Sequence, residues 1–186
     1  MIAGKIRHGD KIEWLPAERL GQWPVDARLR PWLIGNGLLT TRLKAACGER
    51  FELRQTDQWT GLLADEHKRY LPSGDGAGLF REVEMRCNGH IWVFAQTIMP
   101  DGTLSAHPWL AELGDSALGE TLSDLSGVQR SAYEFAWLPA AATLASRALR
   151  AAHPQPRGLW ARRSRICLRG APLLVQELFL PAMGSG

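Results

Sequence analysis

The sequence predicts an α+β domain, one mainly antiparallel sheet of about six strands with helices inserted between hairpins and flap segments enclosing a buried ligand site. Two turns and one alternation carry that expectation. Asn88-Gly89, a favoured two-residue hairpin turn, separates the alternating stretch Leu79 to Cys87 from the apolar run Ile91 to Met99. Leu159 to Pro181 reads as two more strands folded back around Arg169-Gly170-Ala171. In Val128 to Leu138, Tyr133, Phe135 and Trp137 recur at every second position, the period of a strand.

With 186 residues the chain fits a single domain over 1–186, long enough to bury a core without metal or disulfides. A formal charge of +3 favours small anions as readily as nucleic acid and singles out neither. Cys47, Cys87 and Cys167 form an odd set without paired spacing, which predicts reduced, mostly buried thiols in a cytoplasmic protein. The five histidines are scattered, with no ligand spacing that would hold zinc. The N-terminus lacks the apolar run of a signal peptide, and no window approaches a membrane span.

In chain order, residues 1–22 read as a surface lead-in with at most one strand or turn. Asp26 caps a short helix running through Trp32-Leu33-Ile34, with Pro31 in its first turn. A second helix spans Leu38 to Ala46 and stops at Gly48. Phe51 to Trp59 alternates as a strand, and the polar, glycine-rich Gly61 to Gly78 reads as a flap, with disorder as its alternative. After the Asn88-Gly89 hairpin, His107-Pro108 opens a short helix to Leu113, and Asp115-Ser116 caps another at Ala117-Leu118. Pro139 starts an alanine-rich helix to about Ala152.

Two charges fall on apolar strand faces. Arg81 shares its face with Leu79, Val83, Met85 and Cys87, and Glu177 shares its own with Leu173, Val175 and Phe179. A buried charge needs a partner. The two could form a direct ion pair, which requires no function. They could equally grip opposite ends of a small ligand, the guanidinium fork on a carboxylate and the carboxylate on a hydroxyl. The helix starts at Leu38-Leu39 and Ala117-Leu118 add unpaired N–H groups suited to an anion. Arg157, Arg162, Arg163, Arg165 and Arg169 alternate in a way that reads as a solvated face, and no aromatic interleaving points to nucleic acid.

The stretches WLIGNGLLTTRL, FREVEMRCNG, LGDSALG and LWARRSRICLRGAPLLVQELFLP resemble those of the chorismate pyruvate-lyase family, the 4-hydroxybenzoate synthases of bacterial ubiquinone synthesis, from about Leu29 to Pro181. The resemblance implies a monomeric, cytoplasmic α+β lyase without cofactor, which converts chorismate to 4-hydroxybenzoate and pyruvate beneath flaps. It places the carboxylate-binding arginine at Arg81, the hydroxyl-binding glutamate at Glu177 and two backbone contacts at Leu39 and Leu118. Relatives tend to have a small polar residue where Leu38 stands, so Asn36 or Gly37 takes over the cap or the helix begins differently. The rival expectation is an aromatic-acid-sensing effector domain of a transcription regulator. Only about 28 residues precede the first family-like segment, too few for a DNA-binding domain.

Overall fold

The computed structural model describes residues 12–71, 76–150 and 156–183. A two-residue strand, β1 (Leu15–Pro16), runs into a single helical turn, α1 (Ala17–Leu20). Next come α2 (Arg30–Ile34), with Pro31 in its first turn, and α3 (Leu39–Cys47), which Gly48 ends at φ 60°. Asp26 does not cap α2; its carboxylate accepts the Arg28 N–H at 2.7 Å in a local turn. Then follow β2 (Phe51–Leu62), α4 (Asp65–Tyr70), β3 (Ala77–Cys87), β4 (His90–Pro100) and α5 (Asp101–Ala106). A 3-10 turn over Pro108–Glu112 leads to α6 (Leu118–Ser123), β5 (Val128–Arg130), β6 (Glu134–Pro139) and α7 (Thr143–Ala148). The hairpin of β7 (Gly158–Leu168) and β8 (Ala171–Phe179) completes the fold.

The eight described strands form one antiparallel sheet in the order β1-β6-β7-β8-β4-β3-β2, with β5 also on β7. There are eight strands rather than about six because β1 is minimal and the expected strand over Val128 to Leu138 is split. Arg130 faces Ile166 and Glu134 faces Arg163, so four steps along one chain meet three along β7. One surplus residue breaks the ladder between them. Among the described residues of the expected alanine-rich helix, Thr143–Ala148 is helical, and its expected end at Ala152 lies outside the described residues.

Each face of the sheet is covered. One face packs Val83, Met85, Ala95 and Phe179 under Leu33 of α2 and Leu39 and Leu43 of α3, and this apolar face continues through Val175 to Leu118 and Leu122 of α6. On the opposite face Phe94, Leu138 and Leu178 meet Ala145 and Ala148 of α7. The segment expected as a flap packs there too, with Leu63 and Leu71 against Phe80, Ile98 and Leu174. It carries α4, and residues 72–75 within it lie outside the described residues.

That second face holds a buried polar row. Glu82 is only 2% exposed, and both its oxygens accept from Arg147 of α7, at 2.5 and 2.6 Å. Arg147 also donates to Asp57 at 2.8 Å, and Gln96 donates to Glu82 at 2.9 Å. The hydrogen bonds to Glu82 hold the Arg147 pKa above its ordinary value.

Cys47 and Cys87, expected to be reduced, are joined by a disulfide across a Cα–Cα distance of 5.6 Å. It ties the end of α3 to the end of β3. The two positions are 40 apart in sequence, so their meeting is a product of the fold. Cys167 is a free thiol. No helix among the described residues is long and apolar enough to cross a membrane.

Candidate functional site

Register sets the floor of the site. Across β3, β4, β8 and β7 the face under α3 and α6 carries the row Arg81, Thr97, Val175, Ser164. Beside it runs the row Val83, Ala95, Glu177, Arg162. Above these rows lie the first residues of α3 and α6, and the space between is a cavity of about 50 Å³. A site for one water needs roughly 10–15 Å³, so the space exceeds a single solvent molecule. Leu39, Arg81, Leu118 and Glu177, all four expected site residues, line it.

Arg81 is 2% exposed and points inward, as strand parity requires. Its Nε donates to Gln55 Oε1 at 3.1 Å, and its Nη2 donates to the carbonyls of Gly114 and Ser116 at 2.6 and 2.8 Å. All three acceptors are neutral. Burial lowers its pKa to about 10, against the opposing pull of the Asp115 charge, so it remains a cation near neutrality. Asp115 does not cap α6; its carboxylate accepts the Gln55 N–H at 2.7 Å where β2 bulges. That contact fixes the loop whose carbonyls hold Arg81.

Glu177 is 8% exposed, and its ion-pair partner is Arg162 rather than Arg81. Nε of Arg162 donates to Oε2 at 2.5 Å, and Nη1 donates to the carbonyls of Trp32, Leu33 and Gly35 at the C-terminal end of α2 at 3.2–3.4 Å. The Tyr133 ring lies 4.3 Å from the guanidinium. Burial, the largest single influence, works to lower the Arg162 pKa, but the Glu177 charge, Tyr133 and the hydrogen bond to Glu177 together outweigh it and the net displacement is upward. Glu177 therefore faces the cavity backed by a permanent cation. The direct Arg81–Glu177 ion pair is not formed, because each charge already has other partners.

Arg162 corrects the expectation of a solvated arginine face, since it is wholly buried. The signal was present in the sequence. A two-residue turn at Arg169-Gly170 pairs Leu168 with Ala171, and counting back along the ladder sets Arg162 opposite Glu177. Arg165 does face solvent, and Arg163 points to the other face, where it pairs with Glu134 at 2.8 Å. Thr97, Arg130 and Tyr133 also line the cavity, and strand parity alone had not marked them.

Leu38 and Ala117 occupy the cap positions of α3 and α6, and neither makes a side-chain capping bond. Among the described residues no side chain takes over the cap of α3, so neither Asn36 nor Gly37 fills that role. The first-turn N–H groups of both helices thus begin at the cavity wall without a side-chain acceptor.

The family model for chorismate lyase matches residues 9–184. A probable chorismate pyruvate-lyase of Pseudomonas syringae pv. syringae (strain B728a) is 37% identical over 181 residues, covering 91% of this chain and 88% of that protein. Another from Nitrosospira multiformis (strain ATCC 25196 / NCIMB 11849 / C 71) is 34% identical, covering 92% and 94%. Among solved structures, the PhnF C-terminal domain superposes with a TM-score of 0.57 at 17% identity, covering 73% of this chain and 86% of that one. The effector domain of PhnF from Mycobacterium smegmatis gives 0.54 at 18%, covering 78% and 89%. These two likenesses speak for the fold alone.

Proposed function

Because the chain belongs to the chorismate lyase family, we propose that the cavity under α3 and α6 holds chorismate and converts it to 4-hydroxybenzoate and pyruvate. The observation that carries this reading is the environment of Arg81. It is a buried cation whose side-chain partners are all neutral, and it opens on the same cavity as a buried carboxylate on another strand. A carboxylate ligand would supply a directly bonded counter-charge, where Asp115 acts only from a distance.

The ring carboxylate binds Arg81, joined by the backbone N–H groups of Leu39 and Leu118 at the helix starts. Glu177, kept ionised by Arg162, accepts a hydrogen bond from the ring hydroxyl on the opposite side. The bond between ring carbon and ether oxygen then breaks. The carbon bearing the hydroxyl loses its hydrogen as a proton, and the departing enolate takes up a proton to become pyruvate. Aromatisation drives the elimination, so the chemistry calls for no cofactor. What the protein adds is orientation and a site shielded from water. A monomeric enzyme belongs to the same reading. Placement in the cytoplasm, at the first committed step of ubiquinone synthesis, follows from the same reading.

Arg81→Ala tests it. The variant is expected to lose most turnover of chorismate and most affinity for 4-hydroxybenzoate while its circular dichroism stays that of the parent. Near-normal turnover refutes the assignment. The effector domain of PhnF from Mycobacterium smegmatis has the same fold, and the rival reading is a sensor that binds an aromatic acid without reacting. Incubation of the purified chain with chorismate separates the two: the enzyme releases 4-hydroxybenzoate and pyruvate, and the sensor releases neither.

A further inference from the structure

We propose that Arg130 binds the second carboxylate of the substrate, the one carried on the enolpyruvyl ether. The inference rests on the reading of this cavity as a chorismate site. Chorismate is a dianion, and 4-hydroxybenzoate keeps only one of its two carboxylates. The side chains lining the cavity include two cations, Arg81 and Arg130. Arg81 is committed to the ring carboxylate, and Arg162, behind the wall, is committed to Glu177. Arg130 is the cation left for the second carboxylate.

Its position agrees with the shape of the molecule. Arg130 ends β5, its Nη1 donates to the hydroxyl of buried Ser164 at 2.6 Å, and its guanidinium lies 5.6 Å from the Tyr133 ring. Ser164 closes the row that begins at Arg81, with Thr97 and Val175 between them. Glu177 stands on the same strand as Val175, two residues along. Arg130 is therefore anchored at the far end of the row from Arg81, on the Glu177 side of the cavity. In chorismate the ether and the hydroxyl occupy neighbouring ring carbons, both remote from the ring carboxylate. A ligand with its carboxylate on Arg81 and its hydroxyl on Glu177 brings the ether to the end where Arg130 stands. Arg130 is also exposed although it lines the cavity, whereas Arg81 is enclosed. The fragment that leaves is thus held beside the opening. Ser164 occupies one nitrogen of the fork and orients the rest for a carboxylate.

The test compares substrate with product. Arg130→Ala is expected to raise KM for chorismate about tenfold or more, the scale of a lost charge-assisted hydrogen bond. The Kd for 4-hydroxybenzoate, which lacks the second carboxylate, should stay within about twofold of the parent. Arg130→Lys should recover part of the loss, since it keeps the charge without the fork. Unchanged product affinity also shows that the variant is folded. A KM rise below about threefold, or a product Kd that rises in step with KM, overturns the proposal. Those results leave a wild-type enzyme that still turns over chorismate. Failure of the underlying reading looks different, because the wild-type protein then forms no 4-hydroxybenzoate at all.

Discussion

His67, on α4, sits with its Nδ1 buried and without a hydrogen-bond partner, beside Phe80 and 3.6 Å from Glu66. Burial pushes its pKa below the ordinary 6.5, against the opposing pull of Glu66. The sign of the consequence follows from proton binding. As pH falls through 6.5 the unfolded imidazole takes up a proton that the folded one still refuses, so stability declines between 6.5 and the lower folded value. His67→Leu removes that contribution. Between about pH 7.5 and about pH 5.5 the parent should lose more Tm than the variant, and equal losses would rule out this role for His67. At the same scale, strand parity made Arg81 and Glu177 legible because each is a lone charge in an apolar file. Arg162 escaped because three more arginines follow it within seven residues, and the pattern looks like a surface until the turn fixes its partner.

Between β7 and β8, Arg169 at φ 49° and Gly170 at φ 91° make the tight turn that sets the register of the site. A slip of one residue would carry Glu177 to the other face of the sheet. Inserting one glycine after Gly170 should therefore abolish chorismate turnover and 4-hydroxybenzoate binding. Gly170→Ala should cost about 1 kcal/mol through its positive φ and leave turnover intact. An insertion variant with parental activity would contradict the register argument. Elements closed by local chemistry were readable: α3 by Gly48, the β3–β4 hairpin by Asn88-Gly89, and α2 by Pro31. Those that depend on a distant partner were not. The break between β5 and β6 is defined by β7, and α4 packs over Phe80 and Ile98 from a stretch rich in glycine and charge.

As a whole, the molecule buries charge on both faces of one sheet, the ligand side and the Glu82–Arg147 side. A one-sided sheet would have shown polar residues facing water, which is the inference the alternation of β3 invites. Arg147→Met strips a buried carboxylate of its partner and should cost about 3 kcal/mol, measured by urea denaturation. Adding Glu82→Gln should return most of that loss, because the stranded charge is gone. A double variant no more stable than Arg147→Met would show that the pair does not govern stability. β8, the last of the described strands in sequence, is flanked on both sides, by β7 and by β4. Without that strand the other described strands fall into two separate groups, β1-β6-β7 with β5 and β4-β3-β2, each with a raw edge. The sheet, and the pocket built on it, is continuous only because this one ribbon bridges them.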